Sequence, residues 1–173
     1  MKKFIFCDSD PSGSEERDIC GEEYYRMLDL CFMHCTHISF RIPDSNARVI
    51  KKIPEELMKY RIPVPQNVAD IYRYYQYGKI KNLESQLFYF PINEQVKGNI
   101  IRITDSIFKW KAYGNINNPE DPFFFRSDGA PFFISIIHEG ECALCLTPEE
   151  EGKKELQSLI SHPYWNNDPA AWT

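Results

Sequence analysis

The chain has 173 residues, of which 43% are hydrophobic and 26% are charged, and its formal net charge at pH 7 is −5. This length is typical of one domain, and this composition excludes a globally disordered chain. The acidic balance, with no cluster of basic residues, argues against nucleic acid as a partner. No apolar run reaches the roughly 20 residues needed to span a bilayer, and residues 1–10 lack a secretory signal pattern. We therefore expect a cytoplasmic protein with no membrane partner.

The first half of the chain is predicted to be mainly helical. Apolar residues recur there at steps of three and four, which is the spacing of one helix face. Ser12 and Glu15 have the spacing of a capping box at the start of the first helix, and Gly78 is a natural residue for the end of the third. The predicted elements are, in order, a strand at 3–7, a helix at 15–35, a strand at 36–42, a helix at 47–60 and a helix at 66–77.

The second half of the chain is predicted to be mainly strand. Its apolar runs are short, rich in aromatic and β-branched residues, and separated by turn residues. Gly129 follows Asp128, and Gly140 lies between two glutamates; glycine supplies the positive φ that tight turns require. Thr147 and Glu150 have the spacing of a capping box. The predicted elements are strands at 86–92, 100–105, 107–113, 123–125, 132–137 and 142–146, and a helix from 148 to about 161.

The segregation of helices and strands predicts the fold class. Alternating strands and helices would indicate a parallel sheet, whereas helices in one part of the chain and strands in another indicate an α+β fold. We therefore expect a single α+β domain over residues 1–173, with a mainly antiparallel sheet and helices packed on one side.

The six cysteines invite a disulfide or a zinc interpretation, and the pattern favours neither. A chain of this length, with its own core and no secretory signal, is expected to keep its thiols reduced. Cys142 and Cys145 lie in a predicted strand, where residues three apart point to opposite faces and do not converge on one ion. We therefore expect no metal site and no cofactor.

Asp8 and Asp10 are the candidate catalytic residues. They follow the first predicted strand, and this order resembles the first motif of haloacid-dehalogenase-type phosphatases. The resemblance implies metal-dependent phosphoryl transfer, with Asp8 as the phosphoryl acceptor and Asp10 as the acid/base. Thr104 would be the second motif, and Glu120 and Asp121 the acidic metal pair. The chain lacks the alternating strands and helices that would bring these residues to one sheet edge, so a plain turn at Asp8 is the competing interpretation.

The polar loops that flank the aromatic strands are the candidates for a binding surface. Acidic side chains beside aromatic ones are typical of protein-binding faces, where the aromatic groups give affinity and the charges steer association. The crowded tyrosines of the 66–77 helix cannot all be buried, which leaves some at a surface. The alternative is that these loops are ordinary solvated turns. The candidate partner-binding residues are Glu120, Asp121, Arg126, Asp128, Glu139, Glu141, Tyr74 and Tyr77.

Residues 62–162 resemble the SUKH (Smi1/Knr4-like) group in the order of their features. A proline-led helix that ends in an aromatic-glycine step (IPVPQNVADIYRYYQYG) precedes a strand (LFYFPI). A tryptophan-containing strand (FKWKAYG) then precedes a phenylalanine-rich run, an SDG turn and an apolar strand (FFFRSDGAPFFISI), and a terminal helix follows. The group includes many bacterial immunity proteins, which are not enzymes and which neutralise toxins by binding them. The first 60 residues have no place in this resemblance and would be an N-terminal strand-helix-strand addition.

Together these patterns favour a small binding protein over an enzyme. The function that the resemblance and the net acidic charge imply is that of an immunity protein, which occludes the active site of a cognate, basic toxin domain. One alternative is a metal-dependent phosphatase that uses Asp8 and Asp10. Another is a structural or regulatory subunit with exposed tyrosines. The oligomeric state stays open.

Overall fold

Seven strands form one antiparallel sheet in the computed structural model, which describes residues 1–8, 17–43, 53–75, 80–111, 118–161 and 164–166. The strands are β1 (Lys2–Cys7), β2 (His37–Arg41), β3 (Leu87–Pro91), β4 (Glu120–Phe125), β5 (Pro131–Ile136), β6 (Glu141–Leu146) and β7 (Trp165–Asn166). Their order across the sheet is β3-β2-β4-β5-β6-β1-β7. The first 60 residues therefore supply two inner strands, because β1 lies between β6 and β7 and β2 lies between β3 and β4.

The described residues form seven α-helices, most of them short. They are α1 (Gly21–His34), α2 (Glu55–Met58), α3 (Gln66–Tyr74), α4 (Leu83–Gln86), α5 (Glu94–Ile100), α6 (Pro148–Glu151) and α7 (Lys154–Ile160). Two 3₁₀ turns lie at Ile107–Lys109 and Ile137–Glu139. Within the described part of the chain, every helix is too short or too polar to cross a membrane.

Apolar side chains cover both faces of the sheet. The larger core lies on one face, where α1, α2, α5 and α7 pack against strand residues that include Phe40, Phe90 and Leu144. A smaller core lies on the opposite face, where α3 and α4 pack against residues that include Phe123 and Ile134. The predicted α+β domain with an antiparallel sheet is confirmed.

The helices depart in part from the expectation that they pack on one side. Four of them do so, but α3 and α4 cover the second face. The reason lies in β4, β5 and β6, whose sequences are nearly continuous apolar runs. A strand of that kind is buried on both faces, so the second face needs a cover of its own. Tyr72 of α3 supplies part of it by stacking on Phe123, with 4.1 Å between the ring centroids.

The turns predicted between the last strands are present. Gly129 and Gly140 have positive φ values of 81° and 71° and close the β4–β5 and β5–β6 connections. Thr147 caps α6 and forms the predicted capping box with Glu150. The single helix predicted from residue 148 is divided at Gly152 into α6 and α7.

The strands predicted at 100–105 and 107–113 are wrong over the described residues of this segment, which end at residue 111. The structure has the end of α5 there, then a turn and the first 3₁₀ turn. The apolar residues of this segment are spaced by four, three and four, which is a helical period that the short local alternation obscures. Asn93 starts the helix, because its side-chain oxygen accepts a hydrogen bond from the backbone of the third residue of α5 at 2.9 Å. The residues that pack into the larger core with this spacing are Val96, Ile100, Ile103 and Ile107.

Other predicted boundaries move or lie outside the described residues. The first helix begins at Gly21 and not near residue 15, and Cys20 forms an isolated bridge with Ser106 instead. The predicted capping box before α1, the start of the 47–60 helix and the glycine after the 66–77 helix all lie outside the described ranges. All six cysteines are free thiols, and four of them are buried.

Candidate functional site

Two of the predicted partner-binding residues are used inside the fold. Glu120 accepts a hydrogen bond from the guanidinium of Arg41 at 2.5 Å, and both side chains are mostly buried. Asp121 is 1% exposed and accepts a hydrogen bond from the backbone N–H of Ile137 at 2.6 Å. Asp121 also has a positive φ of 54°, a conformation that aspartate adopts more readily than most residues. These two carboxylates hold the start of β4 in place and face the protein interior.

Arg126 ties the β4–β5 turn to α6. Its guanidinium donates to both carboxylate oxygens of Glu150, at 3.0 and 2.5 Å, and to the backbone carbonyls of Pro131 and Cys145. Burial alone would raise the pKa of Glu150, but hydrogen bonds from Arg126 and from the backbone of Thr147 lower that pKa below its usual value. Since both side chains are nearly buried, Arg126 stabilises the fold and is not displayed to a partner.

Asp128 and Tyr74 stay at the surface. Asp128 lies in the β4–β5 turn, where its carboxylate accepts a hydrogen bond from the backbone two residues on, as turn aspartates do. Tyr74 of α3 is 70% exposed, whereas Tyr72 and Tyr75 are buried. Tyr77 lies outside the described residues. Among the described tyrosines of α3, Tyr74 is thus the one that a partner could reach.

Asp8, Glu139 and Glu141 lie together around Gly140, and we term these three carboxylates the acidic turn. The backbone N–H of Asp8 donates to the carbonyl of Gly140 at 2.7 Å. A Cβ added at Gly140 would collide with the Asp8 carboxylate. Burial and the negative charges of Glu139 and Asp8 raise the pKa of Glu141. The fold therefore concentrates negative charge at this connection.

His138 borders the acidic turn. Its Nδ1 lies 3.8 Å from the Asp121 carboxylate, and its Nε2 lies 3.6 Å from the Glu139 carboxylate. The hydrogen bond with Asp121 is the main cause of a raised pKa of His138, which burial opposes. The imidazolium offsets part of the negative charge of the acidic turn until the pH passes this raised pKa.

The catalytic interpretation of Asp8 gains no support from this geometry. Asp8 follows β1, which lies between two antiparallel neighbours, whereas the phosphatase interpretation needs parallel strands to bring its motifs to one edge. Thr104 accepts a hydrogen bond from the backbone of Ser106 within the turn after α5. Asp10 lies outside the described residues. Within the described ranges, no three His, Cys, Asp or Glu side chains are grouped so as to hold a metal ion.

An open groove of about 590 Å³ separates α1 from α5. Met33, near the end of α1, and Ile101, just after α5, border it and are 67% and 37% exposed. Exposed apolar side chains that share one groove mark an interaction site more often than scattered ones do. We term this feature the α1–α5 groove. Its lining residues are Asp29, Phe32, Met33, Glu94, Lys97, Gly98 and Ile101.

The rim of the α1–α5 groove carries more negative than positive charge. Asp29 has no ion-pair or hydrogen-bond partner among the described residues. Glu94 is paired with Lys97 at 2.8 Å, and the Lys97 ammonium lies 5.8 Å from the centre of the Phe32 ring. One uncompensated carboxylate therefore stands beside exposed apolar side chains, which suits a ligand that is both basic and apolar.

The sequence carries one signal of this groove. The core stripe of α1 includes Tyr24 and Leu28, while Tyr25 and Met33 fall outside that stripe. Two steps of four residues separate Tyr25 from Met33, so they share the exposed face of α1. Ile101 gives no comparable signal, because the pattern of the residues around it predicts a strand and not the end of α5.

Comparisons with protein-family models, with curated proteins and with solved structures find no match. The geometry of the α1–α5 groove and of the acidic turn is therefore the basis for proposing a function. Both sites present carboxylates, and one of them adds exposed apolar side chains.

Proposed function

We propose that this protein is an immunity protein that binds a cognate bacterial toxin domain and blocks it by covering its active site. The observation that carries the proposal is the α1–α5 groove, where exposed Met33 and Ile101 lie beside the unpaired carboxylate of Asp29. The order of features over residues 62–162 supports the same function through its resemblance to the SUKH group.

The exposed apolar side chains favour a protein as the partner. Removing the apolar surface of Met33 and Ile101 from water is favourable by roughly 25 cal/mol per Å². A stable protein interface buries about 1,600 Å² in total, far more than one groove provides. The groove would therefore be the apolar centre of a wider contact, surrounded by polar residues that exclude water.

The charge of the molecule favours a basic partner. The chain carries a net charge of −5, and the acidic turn brings Asp8, Glu139 and Glu141 together around Gly140. Opposite charge on the partner raises the association rate, and salt weakens this effect because it screens exposed charges. A basic toxin active site is the complement of such a surface.

Inhibition by occlusion needs no catalytic residue in the immunity protein. Once the complex has formed, the substrate of the toxin cannot reach the covered site, and the toxin is inactive for as long as the complex lasts. Affinity then resides mainly in slow dissociation from a desolvated apolar centre. The charged rim contributes mainly to the rate of encounter.

The proposal predicts that a toxin domain is encoded beside the gene for this chain, and that purified domain provides the test. We expect an equimolar mixture to leave a size-exclusion column as one complex and to lose its toxin activity, and we expect high salt to slow the association. Separate elution of the two proteins at micromolar concentration, with toxin activity unchanged, would contradict the proposal.

A further inference from the structure

We infer that the α1–α5 groove receives a basic amphipathic helix of the partner, which inserts an apolar side chain between Met33 and Ile101 and places a Lys or Arg beside Asp29. This inference rests on the proposed function and specifies the element by which the partner is recognised. Three features of the groove support it. They are a glycine in one wall, the helical backbones of both walls, whose N–H and C=O groups are already hydrogen-bonded, and the charge of the rim.

Gly98 is the residue of the groove wall that has no side chain. It lies inside α5 and is exposed, and a Cβ added there would meet no atom within 4 Å. Its φ lies outside the positive range that favours glycine. Glycine inside a helix is roughly 0.5–1 kcal/mol less favourable than alanine. Neither the backbone geometry nor the internal packing therefore requires glycine here. Close approach of a partner helix would require it, because the distance between packed helices depends on the side chains at the contact.

Both walls of the groove are helices, and this restricts what can dock. The backbone N–H and C=O groups inside α1 and α5 are bonded within those helices, so neither wall offers a strand edge to an extended peptide. A segment that docks here must satisfy its own backbone groups, since buried unpaired ones are costly. A helix does so, and it presents an apolar stripe to a hydrophobic groove.

The charges at the rim of the groove determine which charge the docking helix should carry. Asp29 is unpaired, and Glu94 remains partly available because its partner Lys97 also lies over the Phe32 ring. A Lys or Arg one turn from the inserted apolar side chain would reach these carboxylates. A second copy of this chain is a poorer fit, because its α1 carries Glu22 and Glu23 in the first turn and each copy has a net charge of −5.

The probe is an amidated peptide of about 15 residues, roughly 22 Å long as a helix, with leucines on one face and lysines on the other. We expect it to shift the backbone NMR signals of Met33, Gly98 and Ile101. The matched control peptide carries glutamates in place of the lysines and should bind at least tenfold more weakly. Shifts confined to other residues, or equal binding of the two peptides, would overturn the inference.

Two substitutions locate the binding. Gly98→Leu adds an apolar side chain to the groove wall at a position where a Cβ meets no atom within 4 Å. It should weaken binding of the lysine peptide about tenfold, or 1.4 kcal/mol. Asp29→Lys should weaken binding of the lysine peptide and strengthen binding of the glutamate peptide. Gln66→Ala removes an exposed side chain of α3, on the other face of the sheet, and should change neither affinity. Unchanged affinity in both groove variants would overturn the inference, and so would a native dimer that Gly98→Leu dissociates.

Failure of this inference differs from failure of the proposed function. If the adjacent toxin domain binds but Gly98→Leu and Asp29→Lys bind it as tightly as the native protein, the groove is not the recognition site and the immunity function stands. If the lysine peptide binds at the groove but the toxin domain does not bind, the docking surface stands and the proposed function fails.

Discussion

The indole N–H of Trp110 donates a hydrogen bond to the hydroxyl of Tyr24 at 2.8 Å, and both side chains are fully buried. Tyr24 belongs to α1, and Trp110 follows the 3₁₀ turn beyond α5, so the bond joins α1 to the segment that continues from α5. Burial is the main cause of the raised pKa of Tyr24.

Tyr24→Phe should lower the free energy of unfolding by about 1–3 kcal/mol, because the buried indole N–H of Trp110 then has no acceptor. Urea denaturation followed by tryptophan fluorescence measures the change. Tyr25→Phe is the matched control, since the neighbouring ring is 39% exposed and its hydroxyl can remain hydrated. Equal midpoints for Tyr24→Phe and the native protein would show that the bond does not support the fold.

Two glycine-to-alanine substitutions should act in opposite directions. Gly140→Ala should destabilise the protein by more than about 1 kcal/mol, because φ is 71° and the new methyl group collides with the Asp8 carboxylate. Gly98→Ala should stabilise it by roughly 0.5–1 kcal/mol, because its surroundings are open and the position is helical. Thermal unfolding compares the two directly. The same sign for both changes would contradict the described geometry of one of these sites.

Removing one partner of the buried pair between Arg126 and Glu150 should be costly. Glu150→Gln leaves a nearly buried guanidinium without its counter-charge and should lower the free energy of unfolding by about 3–5 kcal/mol. Gln keeps an oxygen that can accept the capping hydrogen bond of Thr147, so the loss reports mainly on the charge pair. Asp128→Asn, an exposed change in the adjoining turn, is the control and should change stability by less than about 0.5 kcal/mol.

The lowered pKa of Glu150 also gives a pH dependence of defined sign. A carboxyl group with a lower pKa in the folded state contributes stability above its unfolded value of 4.5, and this contribution is lost as the pH falls through the folded value. Denaturant midpoints measured from pH 6 downwards should therefore fall more steeply below pH 4.5 for the native protein than for Glu150→Gln. Parallel curves for the two proteins would show that Glu150 does not make this pH-dependent contribution to stability.

His138 should titrate above its usual pKa of 6.5, because Asp121 stabilises its protonated form. Its stabilising contribution is complete below 6.5 and is lost as the pH rises through the raised folded value. Asp121→Asn, which retains an oxygen for the backbone N–H of Ile137, should lower the pKa of His138. NMR titration of the His138 ring protons measures both values. A pKa of 6.5 or lower in the native protein would contradict the contact with Asp121.

The elements that the sequence predicts correctly are those decided within a few residues. Gly129 after Asp128 and the capping box of Thr147 and Glu150 need only local geometry, and both are present in the structure. The segregation of helices and strands likewise suffices for the α+β class. The strand predicted around Ile101 fails because tertiary packing selects a helical spacing that short alternation also fits.

The placement of the polar residues depends on contacts that a local pattern does not contain. Arg126 finds Glu150 across a turn and a whole hairpin, and Asp8 meets the β5–β6 turn only because β1 pairs with β6. The sequence identifies Glu139 and Glu141 as acidic residues in a turn but gives no sign that Asp8 joins them. Predicting the groove at Met33 would require knowing how the neighbouring elements pack and which part of α1 they leave exposed.

The central claim is that the α1–α5 groove binds a basic toxin domain, and calorimetric titration with the toxin domain that the proposal predicts beside the gene tests it most directly. The native protein should bind with one site per molecule and submicromolar affinity, with Gln66→Ala unchanged and Gly98→Leu at least tenfold weaker. Absence of binding heat for the native protein, together with full toxin activity in the same mixture, would contradict the claim.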